Sequence, residues 1–106
     1  MNRYCLFMGN PDVKINNILH AIADPARRKI LDALKEKDAS SVGRETGLCA
    51  SDIKARVPLS QPTISHHMAI LLKAGLVEAT RMGQWILYRR QEKILRNFIK
   101  ELRREL

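Results

Sequence analysis

From Asp12 onward apolar residues recur at helical spacing: Ile15, Ile18, Leu19 and Ile22 fall on one face of a helix. Asp24-Pro25 stops that run and starts the next. An Asp at the N-cap accepts from a first-turn amide, and a Pro at the first helical position lacks an N–H that the helix would leave unbonded. Ile30, Leu31 and Leu34 form the stripe of this second helix. Residues 38–47 are polar, carry two glycines and read as a loop. A short helix is expected from about Ser51 to Val57, with Ile53 and Val57 inward. Pro58 ends it, because the residue before a proline is pushed out of helical geometry. Ser60 is placed to cap a further helix with Pro62 in its first turn, and Ile64, Met68, Leu71 and Leu72 make its core stripe. Gly75 stands where a left-handed C-terminal cap is expected.

The texture then changes. Leu76 to Arg81 and Gln84 to Arg90 are rich in β-formers around Met82-Gly83, which predicts a hairpin. A last helix fits Gln91 to Leu106, with Leu95, Phe98, Ile99, Leu102 and Leu106 on one side and Lys100, Arg103 and Arg104 on the other. Residues 1–11, with Gly9-Asn10-Pro11, read as an N-terminal arm. Tyr4, Leu6, Phe7 and Met8 give that arm something to dock with. Residues 12–106 form the folded body. The element order is that of a mainly α fold with a β-hairpin wing, a winged helix-turn-helix.

The chain has 106 residues, the usual size of one domain, and 45% hydrophobic residues supply enough apolar material for a core. Nineteen Lys plus Arg against 11 Asp plus Glu give +8, which points to a polyanionic partner. Residues 59–106 hold nine basic against four acidic side chains, so more of the excess lies in the half with the capped helix, hairpin and last helix. No apolar run is long enough to span a bilayer, and the start of the chain lacks the layout of a secretory signal. A cytoplasmic location with Cys5 and Cys49 reduced is expected, with no membrane partner. No histidine-based acid–base pair or close carboxylate pair appears, so an enzyme is not expected.

In a helix-turn-helix the second helix enters the major groove tip first, and a wing reaches the backbone or minor groove. At 100° per residue the outward face of the capped helix holds Pro62, Thr63, His66, Ala69, Ile70 and Lys73, with Gln61 and Ser65 pointing forward at its tip. Gln pairs with adenine, and Ser, Thr and His reach phosphates or base edges. The candidate contacts to double-stranded operator DNA are therefore Ser60, Gln61, Thr63, Ser65, His66 and Lys73, with Arg81 and Gln84 on either side of the hairpin turn. Arg89 and Arg90 stand at the far end of the wing. His67 lies at the edge of the core stripe, where a structural hydrogen bond and a DNA contact both stay open. The rival from another class is a winged-helix adaptor that binds protein.

Three stretches carry a resemblance: Leu59-Ser-Gln-Pro-Thr-Ile-Ser-His-His-Met-Ala-Ile-Leu-Leu-Lys-Ala-Gly-Leu-Val77, Ala23-Asp-Pro-Ala-Arg-Arg-Lys-Ile-Leu-Asp-Ala-Leu34 and Gly83-Gln-Trp-Ile-Leu-Tyr-Arg89. Together, over about residues 15–90, the chain resembles the ArsR/SmtB family of bacterial winged-helix repressors. The resemblance implies a homodimer held by the first and last helices, seated on an inverted-repeat operator and released by an inducer. Many family wings carry Arg or Lys just after the turn glycine, where this chain has Gln84.

The resemblance also says where to look for the inducer. The family's zinc pair on the last helices needs histidine, and the three here are His20, His66 and His67, all before the wing. His66 and His67 diverge by 100° and do not chelate one metal together. The family's thiolate box, Glu-Leu-Cys-Val-Cys-Asp-Leu, is matched by Gly47-Leu-Cys-Ala-Ser-Asp-Ile53, with Cys49 at the first cysteine position and Ser51 in place of the second. Arsenite and antimonite favour three thiolates, and soft metal ions favour clusters of them. Cys5, brought from the partner's arm, would supply the second thiol, either as a ligand or in a redox-sensitive disulfide. The alternatives are that Cys49 is a small apolar filler and that the repressor has no thiol inducer.

Overall fold

The computed structural model describes residues 11–35 and 47–106. Among them are five helices and an antiparallel hairpin: α1 (Pro11–Ile22), α2 (Pro25–Ala33), α3 (Ala50–Arg56), α4 (Gln61–Lys73), β1 (Val77–Met82), β2 (Trp85–Arg90) and α5 (Glu92–Glu105). This is the winged helix-turn-helix order. Cys5, the arm up to residue 10 and residues 38–46 of the loop expected at 38–47 lie outside the described residues. Helix α1 takes in Pro11, the residue assigned to the end of the arm, because proline suits a first helical turn.

The helix starts are set locally. Asp24 is extended at φ −86° and ψ 124° and accepts from the Ala26 N–H at 2.7 Å, ahead of Pro25. Ser60, at φ −68° and ψ 157°, accepts from the Thr63 N–H at 3.4 Å, ahead of Pro62. Each satisfies an amide that has no carbonyl partner within its helix. Helix α3 begins at Ala50 with Cys49 as its N-cap and closes at Arg56, so Val57 lies just past the helix although buried as expected.

The hairpin pairs Val77 with Arg90 through to Met82 with Trp85, so its two-residue turn is Gly83-Gln84. Gln84 thus sits in the turn and not beyond it. On the outer edge of β2, Leu48 and Tyr88 exchange two backbone hydrogen bonds of 2.9 and 2.8 Å. Gly47 makes that approach possible. Its φ is +144°, and a Cβ there would stand 2.4 Å from the Tyr88 carbonyl oxygen.

The core is filled by Ile30 of α2, Ile53 of α3, Ile64 and Leu71 of α4, and the flanking Leu48 and Leu76, all fully buried. Each contributes about 1.5–3 kcal/mol of burial. Leu19 and Leu72, expected in the stripes, are more than one-third exposed because neighbouring residues, Ile18 and Leu71, take the inward direction. On α5, Phe98 is buried and Leu95 and Leu102 pack on the core, while Ile99 is 61% exposed and Leu106 95%. No helix among the described residues is long and apolar enough to cross a membrane.

Candidate nucleic-acid interface

Helix α4 packs on α2 and β1 through one face. Ile64, His67, Met68 and Leu71 are buried, which leaves Gln61, Ser65, His66, Ala69 and Lys73 exposed on the other side. The i, i+4, i+7 spacing of the apolar anchors fixes that division. The Ser60 and Thr63 hydroxyls lie 2.7 Å apart and bond to each other, so both also serve the cap. Thr63 is half-buried and the tip of the helix is carried by Gln61 and His66. A polar, exposed helix tip with short side chains is what a major-groove reader presents.

His67 takes the structural role. It is buried, and its Nδ1 faces Arg27 Nη1 at 3.1 Å. A guanidinium only donates, so Nδ1 accepts and the ring proton resides on Nε2. Arg27 is itself buried; its Nε donates to the Ala21 carbonyl at 2.6 Å and its Nη2 to the His20 carbonyl at 3.3 Å. One side chain of α2 therefore ties the last carbonyls of α1 to α4. The hydrogen bond from Ala26, together with the positive charge of Arg27, holds the Asp24 carboxyl below its ordinary value of 3.8 against the opposing effect of desolvation.

Residues carried on the wing divide sharply. Arg81 and Gln84 are exposed near its tip, and among the described residues Arg81 has no carboxylate partner. Arg89 is paired with Glu78, directly opposite in the register, and Gln91 Nε2 donates to the same carboxylate at 2.8 Å. Arg90 is turned inward, donating from Nη1 to the Leu31 carbonyl at 3.1 Å and pairing with Glu92 at 2.9 Å. Arg89 and Arg90 thus brace the base of the wing and do not extend its cationic surface. The basic groups at the front are Lys73 and Arg81.

Cys49 is buried at the start of α3. Its Sγ lies 3.1 Å from Ser51 Oγ and donates to Asp52 Oδ2 at 3.2 Å, while the same Oδ2 accepts the Cys49 N–H at 3.2 Å. The preceding residue, Leu48, is the one bridged to β2, so the thiol stands one residue from a direct connection to the wing. Among the described residues no group of three His, Cys, Asp or Glu side chains is placed to hold a metal. His66 and His67 have ring centroids 5.7 Å apart, with one ring exposed and the other buried.

Sequence reasoning passed over Arg27. Its signal was present: three residues before Ile30, four before Leu31 and seven before Leu34, it continues the core stripe of α2. A basic residue in that stripe needs a buried acceptor.

Comparison with known proteins agrees with the architecture. A family model described as bacterial regulatory protein, arsR family, matches residues 24–79. Transcriptional repressor SdpR of Bacillus subtilis is 40% identical over 85 residues, spanning 80% of this chain and 84% of that protein. The arsenical resistance operon repressor of Staphylococcus xylosus is 35% identical over 82 residues, 77% of this chain and 70% of that protein. An ArsR-like transcriptional regulator from Rhodococcus sp. RHA1 superposes with a TM-score of 0.74 at 26% identity, covering 90% of this chain and 81% of that one. These relatives are regulators of transcription, not enzymes.

Proposed function

The chain belongs to the ArsR family of bacterial regulatory proteins and is a DNA-binding transcriptional repressor, and from that premise we propose that it works in the cytoplasm as a homodimer on an inverted-repeat operator. The exposed tip of α4 carries this reading. Gln61, Ser65 and His66 reach base edges in the major groove, Ser60 and Thr63 add hydroxyls beside them, and Lys73, Arg81 and Gln84 hold the flanking backbone. Ile99 and Leu106 leave apolar surface on α5 that a second copy would cover, and α1 completes the seam. Two α4 helices must then stand about 34–36 Å apart to enter successive major grooves.

A titration of inverted-repeat duplexes in varied salt tests the reading. Sequence-selective binding by a dimer, with log affinity falling steeply against log salt, is expected. Sequence-insensitive binding with a shallow salt dependence would sink it in favour of a protein-binding adaptor.

The inducer reading rests on Cys49. Ligation or oxidation of its thiol replaces the contact with Asp52 that helps to start α3, one residue from the Leu48 bridge to β2, so the helix before the turn and the wing move together. Among the described residues Cys49 offers a single sulfur beside the oxygens of Ser51 and Asp52. That set alone does not suit arsenite, antimonite or a soft metal ion, which favour several thiolates. Cys5 of the second subunit is assigned as the other thiol, whether as a ligand or as the partner in an oxidant-driven disulfide. That relatives include arsenical resistance repressors supports the metalloid form. Release of operator DNA by arsenite, cadmium and an oxidant, compared between wild type, Cys49→Ser and Cys5→Ser, separates the cases. Release unchanged in both variants overturns thiol sensing.

A further inference from the structure

Helices α1 and α5 lie side by side, and a cleft of about 510 Å³ runs between them. Its floor is apolar, formed by Ile15 and Ile18 of α1 with Ile94 and Phe98 of α5. Its rim carries the cations Lys14, Lys100 and Arg104 together with Asn97 and one carboxylate, Glu101, for a net positive charge. Lys100 and Arg104 lie about two and three turns beyond Ile94, so the charge gathers toward the C-terminal end of α5. Arg104 is paired with Glu101, whereas Lys14 and Lys100 have no carboxylate partner among the described residues.

On α5 the cleft and the apolar surface offered to a second copy lie on different flanks. At 100° per residue, Ile99 and Leu106 stand about 120–140° around α5 from Ile94, while Asn97, Lys100 and Arg104 stand about 240–300° around. The exposed apolar pair and the cleft thus occupy nearly opposite flanks of α5, with the buried Phe98 facing the core between them. Packing through Ile99 and Leu106 leaves the α5 wall of the cleft uncovered.

We propose that this cleft binds a small amphipathic carboxylate, its hydrocarbon body on Ile15, Ile18, Ile94 and Phe98 and its head group between Lys14 and Lys100. The volume falls within the roughly 300–1,000 Å³ of small-molecule sites, which combine apolar walls with a few placed polar groups. Burying the hydrocarbon on Ile18 and Phe98 supplies the affinity, and two ammonium groups set against one anion supply the head-group selectivity. No DNA contact enters into this binding, so it and the operator reading fail separately.

Calorimetric titration of the full chain with decanoate, decanol and acetate, below micelle-forming concentrations, tests the site. Saturable decanoate binding at one per chain is expected, with decanol and acetate each about tenfold weaker or worse. Lys14→Glu with Lys100→Glu, both exposed positions, is expected to weaken decanoate at least about tenfold while leaving the circular dichroism unchanged. Absence of saturable binding, equal affinity for decanol and decanoate, or undiminished binding by the double variant overturns the proposal. So does a change in sedimentation of the double variant with no response to decanoate, which would place a second copy in the cleft.

Discussion

Arg27 donates from Nη1 to Nδ1 of His67 across 3.1 Å, joining α2 to α4 forty residues later in the chain. The two neighbouring histidines therefore separate by role. His67→Ala leaves a buried guanidinium hydrogen unpaired and should cost about 1–3 kcal/mol of stability in urea unfolding. His66→Ala, at an exposed position, should stay within about 0.5 kcal/mol. Equal losses in the two variants would show that the Arg27 contact does not hold α4 in place.

Asp24 makes stability depend on pH in a defined direction. Its folded carboxyl is held below the ordinary 3.8 by the Ala26 amide and the charge of Arg27. A depressed carboxyl stabilises the fold above its unfolded value, and that contribution is lost as pH falls through the folded value. Asp24→Asn keeps a good N-cap and removes the charge. Thermal unfolding should find the variant less stable than wild type at pH 6–7, with the gap closing as the pH is taken below about 4. A gap that persists unchanged into acid would remove the charge from the explanation.

What could be read in advance was local. The caps at Asp24 and Ser60, the prolines behind them and the glycine at 75 act over a few residues, and each helix stripe repeats within its own segment. The fate of Arg89 was also within reach, because a Gly83-Gln84 turn sets it opposite Glu78. Contacts across long separations were not legible. The Leu48–Tyr88 bridge and the Arg27–His67 bond each span forty residues and depend on how the helices pack, which periodicity does not specify. The same limit applied to the burial of Cys49, which appears only once α3 is docked, whereas its contact with Asp52, three residues on, is local.

Gly47 tests that long-range bridge. Alanine there faces a positive φ and a backbone oxygen 2.4 Å from the new Cβ. Strain and overpacking of about 1–3 kcal/mol each should bring the loss to at least about 2 kcal/mol in chemical denaturation. Hydrogen exchange should show the Leu48 and Tyr88 amides, bonded to each other's carbonyls, losing protection in the variant. Gly47→Ala with wild-type stability would mean the loop does not need this close approach to β2.

On α4, base reading and stability should come apart. Gln61→Ala removes an exposed amide from the tip of the helix without disturbing the buried face of Ile64, Met68 and Leu71. It should weaken the preferred operator by about 1–3 kcal/mol and flatten the ranking among operator variants. Unfolding midpoints should not move. A uniform loss of affinity across all sequences would assign Gln61 to phosphate and not to a base.

The wing's arginines give the sharpest contrast, because three residues of one type sit in three electrostatic settings. Arg81 is exposed near the turn with no carboxylate partner among the described residues, Arg89 is paired with Glu78, and Arg90 is turned onto the Leu31 carbonyl and Glu92. A cation that contacts phosphate releases a counterion on binding, so removing it lowers the slope of log affinity against log salt by about one. Arg81→Ala should show that loss of slope. Arg89→Ala should leave the slope nearly unchanged, since its charge is already neutralised by Glu78. Arg90→Ala should act through folding, lowering the unfolding midpoint by freeing the base of the wing from α2. Measured in parallel, equal slope changes for Arg81 and Arg89 would mean that the Glu78 pair opens on DNA and that the whole length of the hairpin, not its tip, lies along the backbone.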